Sequence, residues 1–366
     1  MLGNLPEYPW DAMAPFAQRA AQHPDGLIDL SIGSPVDPTP DVVRRALADA
    51  TDAHAYPTTV GTPRLREAIV EWFARRRGVD GLSVENVLPT IGSKEFVAWA
   101  PHMLGLDGTD VVVHPRAAYP TYAIGAALAD VSVLAEDDPL AWPAETRLVW
   151  VNSPGNPDGR VLNVEQLAQR VARARELGAI LISDECYSEM GWDAPWDTQL
   201  IPSILDSRVT GGDMSNILCA YSLSKQSNLA GYRAAFVAGD PALIERLLAV
   251  RKHAGMMVPA PVQSAVTVAL GDDAHVAAQK ELYRGRRDAL VPAVIAAGFT
   301  IDGSEAGLYL WLTEGRDAWD SIGRLADLGI LGGPGHFYGD HFPQHIRLSL
   351  TAPNERIEAA VARLTQ

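Results

Sequence analysis

The chain has 366 residues, 47% of them hydrophobic and 20% charged. This composition is typical of a globular enzyme with one large domain and a satellite, or with two domains. Its formal net charge of −15 disfavours a general nucleic-acid or acidic-membrane surface, because like charges repel. An anionic ligand would therefore have to be bound by arginines and helix N-termini placed close to it.

The two cysteines, Cys186 and Cys219, lie in or beside apolar runs and are too few for a disulfide framework or a zinc site. We interpret both as reduced core residues and expect a cytoplasmic protein. Prolines and acidic residues within 1–11 argue against a signal peptide. No apolar run approaches the roughly 18–20 residues of a membrane helix. We predict no membrane, nucleic-acid or metal partner.

The first predicted strand, residues 28–33, runs into a proline-rich loop. Gly33 at its end would let a ligand approach the backbone closely. Tyr56 lies in the next loop, before a helix with Pro63 near its first turn, a favoured place for proline. Taken alone, Gly33 would be a turn glycine and Tyr56 a packed core tyrosine.

Gly92 and Ser93 stand between a predicted strand, 87–91, and a helix that continues to residue 104. Free backbone N–H groups at a helix start form an anion site that a phosphate can occupy. We hypothesise that Lys94 contacts an anionic substrate tail; the alternative is a solvated lysine in the first turn. A Gly-Ser pair before a helix is common, so this segment is informative only together with others.

Tyr119 follows the predicted strand 110–114, and its aromatic face would suit a flat conjugated ring. The alternative is a tyrosine packed in a turn between prolines. Asn156 lies in the loop 152–159, where Ser-Pro and Asn-Pro steps and two glycines argue against a helix. Taken alone, this loop would be an ordinary turn.

Asp184 and Tyr187 follow the predicted strand 179–183. A carboxylate at the end of an apolar strand is costly unless it has a partner. A protonated pyridine nitrogen is such a partner, and keeping that proton makes pyridoxal 5′-phosphate (PLP) an electron sink. The alternative is a helix-capping aspartate with a packed tyrosine.

Lys225 follows the predicted strand 217–220 and a serine-rich turn with Ser222 and Ser224, and Arg233 comes eight residues later. A neutral lysine amine forms imines with carbonyl compounds. Serine hydroxyls and a guanidinium beside it would hold a phosphate, and the cation would lower the lysine pKa. A lysine imine beside a phosphate site is what PLP requires.

Strands and helices alternate along the chain, which predicts an α/β fold. Asn156, Asp184 and Ser222 all follow the carboxyl ends of predicted strands. Ligands of open parallel sheets gather at that edge. Near residue 272 a smaller domain is predicted to begin, on a long helix over 277–297. Arg347 lies in the predicted strand 345–350 and on its own would be a strand-edge charge.

The pattern S-x-S-K-x-x-N-L-A-G-x-R over residues 222–233 and the N-P-x-G loop at 156–159 resemble the motifs of class I/II (fold type I) aminotransferases. Asp158 departs from the usual threonine of that loop. The resemblance implies a large domain with a mostly parallel central sheet flanked by helices, plus a smaller α+β domain. We expect an arm and part of the small domain over 1–45, the PLP-binding domain over 46–275 and the C-terminal small domain over 276–366.

The same resemblance implies a role for each motif residue. The catalytic residues would be Lys225, which holds PLP and moves the proton, with Asp184 on the ring nitrogen and Tyr187 on the phenolic oxygen. The substrate carboxylate would be bound by Gly33, Asn156 and Arg347. The other cofactor contacts would be Gly92, Ser93, Lys94, Tyr119, Asn156, Ser222, Ser224, Arg233 and, across a homodimer with shared active sites, Tyr56.

Closer similarity over 5–11, 89–95, 183–187, 251–259 and 304–311 is to the actinobacterial-type succinyldiaminopimelate branch of this family. That resemblance implies exchange of N-succinyl-LL-2,6-diaminopimelate and 2-oxoglutarate for N-succinyl-2-amino-6-oxopimelate and glutamate, in lysine and diaminopimelate synthesis. Small-molecule amino acids and 2-oxo acids are then the expected partners. Alternatives are an aspartate, aromatic or N-acetyl-diaminopimelate aminotransferase, a PLP C–S lyase, and an effector-sensing module of a transcription regulator. The last would need a basic DNA-binding extension.

Overall fold

A computed structural model describes Leu5 and residues 8–366; the rest of the predicted N-terminal arm, 1–4 and 6–7, lies outside the described residues. The strands are β1 (Ile28–Asp29), β2 (Val87–Ile91), β3 (Val111–His114), β4 (Ser132–Ala135), β5 (Thr146–Asn152), β6 (Ile180–Asp184), β7 (Ile217–Ser222), β8 (Ala234–Gly239), β9 (Thr300–Ile301), β10 (Tyr309–Thr313), β11 (Ile330–Leu331), β12 (Gly333–Pro334) and β13 (His345–Ser349). The α-helices are α1 (Ala14–Ala20), α2 (Asp41–Asp49), α3 (Pro63–Trp72), α4 (Ser93–Met103), α5 (Thr121–Leu128), α6 (Val164–Leu177), α7 (Ser207–Thr210), α8 (Leu223–Gln226), α9 (Pro241–Ala254), α10 (Ala260–Gly271), α11 (Asp273–Ala296), α12 (Ala318–Asp327) and α13 (Asn354–Leu364).

The central sheet has seven strands in the order β2-β8-β7-β6-β5-β3-β4. β8 is antiparallel to both of its neighbours, and the other paired strands are parallel. Every residue of β7 and β8 is buried. Strands covered on both faces need near-continuous apolar sequence, which β7 and β8 supply. The mostly parallel α/β sheet that the alternating elements predict is therefore present.

Three neighbouring strands bring their carboxyl ends to one edge of this sheet. In the register of the sheet, Asn152 at the end of β5 pairs with Asp184 at the end of β6, and Asp184 pairs with Ala220 in β7. Ser222 ends β7 two residues later. Parallel pairing thus brings three polar residues to one edge of the sheet, which is where the cavity described below lies.

A smaller unit contains a four-stranded antiparallel sheet, β12-β13-β10-β9, and the parallel pair β1-β11. Its buried cluster includes Tyr283, Leu290 and Leu310. Ile28 pairs with Ile330 across the β1-β11 pair, so the N-terminal segment is joined to C-terminal strands. The predicted domain boundary after residue 275 lies inside α11, and the domain boundaries stay a prediction.

The long helix of the smaller unit begins earlier than the sequence pattern indicates. The expected range was 277–297, whereas α11 runs from Asp273 to Ala296. The reason is a cap: the Asp272 side chain accepts a hydrogen bond from the Ala274 N–H at 3.0 Å, which satisfies a donor that the first turn leaves free. Pro292 lies within this helix.

No helix in the described part of the chain combines the length and the apolar character needed to cross a membrane. Over the same residues, no group of three or more His, Cys, Asp or Glu side chains is arranged to hold a metal ion. Cys186 and Cys219 are buried and form no disulfide.

Candidate active site

A cavity of about 350 Å³ opens at the carboxyl ends of β5, β6 and β7 and extends to β10 and β13. Two of the predicted site residues do not line this cavity. Gly92 immediately precedes the lining residue Ser93, and Tyr56 lies on the surface with 94% exposure. The predicted residues that line it are Gly33, Ser93, Lys94, Tyr119, Asn156, Asp184, Tyr187, Ser222, Ser224, Lys225, Arg233 and Arg347.

Lys225 is held at the centre of this cavity by the turn that follows β7. The Ser222 hydroxyl accepts the Ser224 N–H at 3.1 Å and caps the short helix α8, which carries the lysine. The lysine Nζ donates a hydrogen bond to the Gly33 carbonyl oxygen. The backbone of Lys225 is also held in place, because the Tyr283 hydroxyl donates a hydrogen bond to the Lys225 carbonyl oxygen at 3.3 Å. The amine is therefore aimed at the loop after β1.

Donors suited to a phosphate surround the start of α4. Gly92 precedes that helix with φ +75° and no side-chain cap, so backbone N–H groups of the first turn remain available. A β-carbon at Gly92 would lie 2.2 Å from Nη2 of Arg233, so only glycine lets the guanidinium reach this position. The Ser222 and Ser224 hydroxyls are 2.8 Å apart and line the same cavity.

Asp184 ends β6 with 6% exposure. Its Oδ2 accepts the Tyr122 hydroxyl at 3.0 Å, and its Oδ1 accepts the Cys186 N–H at 3.2 Å. Burial raises the pKa of Asp184 above its ordinary value, and these hydrogen bonds offset only part of that rise. A positive charge in the cavity would favour the carboxylate. The site thus suits a protonated ring nitrogen.

Sequence reasoning missed Tyr122 as a site residue. It is fully buried in α5, and its ring stacks on Trp150 with centroids 5.0 Å apart. Burial raises the pKa of Tyr122 well above its ordinary value, so it stays protonated and donates. Tyr122 follows Tyr119 by three residues, but Tyr119 lies outside α5, so no helical spacing indicated the contact with Asp184.

Asn156 is positioned by a second asparagine. Its backbone N–H donates to Asn152 Oδ1 at 2.8 Å, and the Asn152 amide in turn donates to the Asp184 carbonyl oxygen at 2.9 Å. The loop is thereby tied to the end of β6. Asn156 Oδ1 accepts Nη1 of Arg347 at 2.9 Å, which leaves the amide N–H groups of Asn156 for another acceptor.

Arg347 is a buried cation in β13, with 4% exposure. Its Nη2 donates to the Ser31 carbonyl oxygen at 2.7 Å, and no hydrogen-bond partner of its Nε is found among the described residues. The guanidinium carbon lies 3.8 Å from the ring centre of Tyr309 and 4.7 Å from that of Tyr338. A buried guanidinium held only by neutral groups favours an anionic ligand.

Tyr309 and Tyr338 were also missed from the sequence, although the segment 304–311 was recognised as glycine-aromatic. Tyr309 is buried, and its hydroxyl oxygen is 3.1 Å from that of Tyr187. Tyr119 is half-buried on the cavity wall, with its ring edge-on to Tyr122 at 5.8 Å, and burial raises its pKa to about 12. Lys94 is exposed at the mouth.

The donor set fits PLP in each of its parts. An ammonium group, a buried carboxylate, a phenol with an amide, and hydroxyls beside a guanidinium all face one cavity. These are the partners that an aldehyde, a pyridine nitrogen, a phenolic oxygen and a phosphate need. A family model described as aminotransferase class I and II matches residues 25–364. The chain belongs to this family.

Enzymes of this family use PLP, and the fold is that of the fold type I aminotransferases. The predictions of family, fold class and cofactor are therefore confirmed.

Named relatives match the chain over nearly its whole length. It is 53% identical over 363 residues to the 4-dedimethylamino-4-oxo-anhydrotetracycline transaminase OxyQ of Streptomyces rimosus, with 99% of each chain covered. It is 52% identical to the "Probable aminotransferase Rv1178" of Mycobacterium tuberculosis, over 99% of this chain and 86% of that one. A solved "probable N-succinyldiaminopimelate aminotransferase" from Thermus thermophilus has a TM-score of 0.87 and 28% identity, covering 98% and 99% of the two chains.

Proposed function

We propose that this aminotransferase acts on N-succinyl-LL-2,6-diaminopimelate and 2-oxoglutarate, giving N-succinyl-2-amino-6-oxopimelate and glutamate in lysine and diaminopimelate synthesis. The observation that carries the proposal is the pair of cations in one cavity, buried Arg347 and exposed Lys94. Both substrates have an α-carboxylate and at least one further carboxylate. Arg347 suits the first, because its planar fork binds a carboxylate in a bidentate way. Lys94 suits the second.

The bound cofactor withdraws electrons from the α-carbon of the substrate and so makes its proton acidic. Lys225 Nζ takes and returns that proton as general base and acid. Asp184 would keep the ring nitrogen protonated, and Tyr187 and Asn156 would donate hydrogen bonds to the phenolic oxygen. Tyr119 would cover the ring face.

Further residues bind and orient. Arg347 would bind the α-carboxylate of the substrate. Asn156 and the loop at Gly33 would contribute further contacts to the same carboxylate. The phosphate group would be held by the backbone at Gly92 and by Ser93, Ser222, Ser224 and Arg233.

We further propose a cytoplasmic homodimer in which Tyr56 reaches the phosphate site of the other subunit. Two features support this arrangement. Tyr56 has 94% of its surface exposed, so its side chain is accessible to a second subunit. The Arg233 guanidinium beside Gly92 is also exposed, so a side chain from another subunit has access to it.

A second candidate substrate class is an aromatic or polycyclic oxo compound. The cavity mouth carries Trp10 and Phe337, whose ring centroids are 4.5 Å apart, and Tyr338, whose ring centroid is 6.3 Å from that of Trp10. Such a wall favours flat apolar surfaces. The relative from Streptomyces rimosus is named for a 4-oxo-anhydrotetracycline substrate.

A half-reaction panel on the PLP-loaded protein tests these proposals. The absorbance of the bound cofactor would be followed with glutamate, N-succinyl-LL-diaminopimelate, its N-acetyl analogue, free LL-diaminopimelate, aspartate and phenylalanine. We expect rapid conversion with glutamate and the succinylated compound and little with the others. Conversion by phenylalanine or an aromatic amine alone would favour the second candidate. With cysteine added to the panel, release of sulfide would indicate C–S lyase chemistry in place of transamination.

A further inference from the structure

Tyr309 connects the carboxylate-binding arginine to the cofactor side of the cavity. In the register of β10 and β13, Trp311 pairs with Arg347, so Tyr309 is the diagonal neighbour of Arg347 on the same face. Its ring packs on the guanidinium at 3.8 Å. Its hydroxyl oxygen lies 3.1 Å from that of Tyr187. One buried phenol therefore touches both Arg347 and Tyr187.

The Tyr309 hydroxyl also lies against the loop that contacts the lysine. A β-carbon at Gly33 would be 2.1 Å from the Tyr309 oxygen, so a residue other than glycine would displace the ring. The carbonyl oxygen of the same glycine accepts a hydrogen bond from Lys225. Gly33 thus keeps the phenol, the lysine and the arginine within one small volume.

The two phenols of the hydrogen-bonded pair differ in acidity. Burial acts to raise the pKa of Tyr309, but the charges of Arg347 and Lys225, together with the hydrogen bond to Tyr187, outweigh it, and its pKa lies below the ordinary value. Burial raises the pKa of Tyr187 well above the ordinary value. Either oxygen can donate in this pair. A tyrosine has one proton to donate, so once Tyr187 donates to the phenolic oxygen of the bound cofactor, Tyr309 must be the donor to the Tyr187 oxygen. The titratable groups around Tyr309 are Lys225, Arg347, Tyr119, Tyr187, Tyr283 and Tyr338.

We propose that Tyr309 is a positioning residue that couples carboxylate binding at Arg347 to the hydrogen bond that Tyr187 makes to the cofactor. While Tyr309 donates to the Tyr187 oxygen, the Tyr187 O–H is free to donate into the cavity. Hydrogen bonds in such a chain polarise one another. The inference rests on the proposed function, because it takes Arg347 as the site of the substrate carboxylate.

Carboxylate binding at Arg347 then weakens the hydrogen bonds that run from Tyr309 through Tyr187 to the cofactor. An anion on Arg347 offsets the positive charge beside Tyr309, and Tyr309 becomes a weaker donor. Tyr187 in turn donates less strongly to the phenolic oxygen. The protonated form of the bound cofactor is favoured as a result, so substrate binding prepares the cofactor for the proton transfer that follows.

The test uses Tyr309→Phe, which removes the hydroxyl and keeps the ring on Arg347. The PLP-loaded protein would be titrated with pH while the cofactor absorbance is recorded, with and without glutarate, a dicarboxylate that has no amino group to transfer. We expect glutarate to raise the midpoint in the wild type. Tyr309→Phe should lose about 0.7 pH units of that shift, the equivalent of one hydrogen bond of about 1 kcal/mol.

The matched control is Tyr338→Phe. Its ring also lies on the Arg347 guanidinium, at 4.7 Å, and no hydrogen-bond partner of its hydroxyl is found in the described part of the chain. This variant should keep the whole glutarate-induced shift. Thermal unfolding of both variants would show that each is folded.

Each other outcome has a definite meaning. An unchanged shift in Tyr309→Phe, an equal loss in both variants, or no shift in the wild type would overturn the coupling. A wild-type protein that binds PLP but fails to transaminate any amino acid would contradict the proposed function instead. A glutarate shift that depends on Tyr309 would still be measurable in that protein, so the two failures are distinguishable.

Discussion

The two ends of the cavity are built in different ways. At the sheet edge, Asn152, Asp184 and Ser222 occupy positions that strand register fixes, and the Asn152 amide binds the Asp184 carbonyl oxygen. At the mouth, Lys94 in the first turn of α4 is exposed, and Trp10 meets Phe337 through a ring contact between two short 3-10 helices in connecting segments. Loops tolerate change far better than paired strands do. We infer that the residues at the sheet edge determine the type of reaction, whereas those at the cavity mouth determine substrate specificity.

The largest effect is expected at the edge, from Lys225→Ala. Loss of the general base and acid should reduce turnover by at least about 10²-fold, the lower range for proton transfer by a positioned side chain. The measurement is the rate of the glutamate half-reaction. Lys252→Ala is the matched control, because Lys252 is an exposed lysine in α9 that does not line the cavity. Undiminished turnover in the first variant would remove Lys225 from the mechanism.

Arg347→Lys tests the link between the two ends. A lysine keeps the charge but lacks the fork that binds Asn156 and Ser31 together. Hydrogen bonds to charged groups contribute about 1.5–3 kcal/mol, so kcat/KM for glutamate should fall about 10- to 150-fold. Arg44→Lys, at an exposed arginine in α2, should behave as the wild type. An unchanged kcat/KM would mean that the α-carboxylate binds elsewhere.

Tyr122→Phe is a smaller change at the edge. The Tyr122 hydroxyl favours the charged form of Asp184, so its loss should raise the pKa of Asp184 further. Asp184 then protonates at a higher pH and loses its attraction for a protonated ring nitrogen. The dissociation constant of PLP should rise about fivefold, the worth of one hydrogen bond of about 1 kcal/mol, and rise most at acidic pH. Equal PLP affinity at every pH would show that Tyr122 only packs.

The smallest effect is expected at the mouth, from Lys94→Ala. An exposed cation contributes about 0–1 kcal/mol to an ion pair, so KM for N-succinyl-LL-diaminopimelate should rise about fivefold at most. KM for glutamate should rise by no more than the same factor, because its side-chain carboxylate is the second carboxylate that Lys94 is proposed to bind. Lys94→Arg should restore the wild-type value. If KM for the succinylated substrate stays the same in Lys94→Ala, the proposed contact with its distal carboxylate is wrong.

The same contrast explains how much of the site the sequence could predict. Asp184, Ser222 and Asn156 could be placed together because parallel strands bring their carboxyl ends to one edge. Lys225 and Arg233 were found through a local motif.

Tyr122 and Tyr309 escaped prediction because their partners lie far away in sequence. Tyr122 bonds Asp184, and Tyr309 bonds Tyr187, across elements whose packing no local pattern reveals. The start of α11 was misplaced by four residues because the helix period alone does not show its Asp272 cap. The predicted contact of Tyr56 with the phosphate site of another subunit depends on a dimer and stays a prediction.

The pairing of β1 with β11 has a consequence for the order of folding. Gly33, whose carbonyl oxygen meets Lys225, follows a strand that has no partner until Ile330 and Leu331 are made. The Ser31 carbonyl oxygen likewise lacks its hydrogen-bond donor until Arg347 has been synthesised. Because proteins are synthesised from the N-terminus, the first part of the cavity wall to be translated is the last to be fixed. A truncated or unfinished chain would therefore contain the lysine and the serines proposed to bind phosphate, but its substrate site would be incomplete.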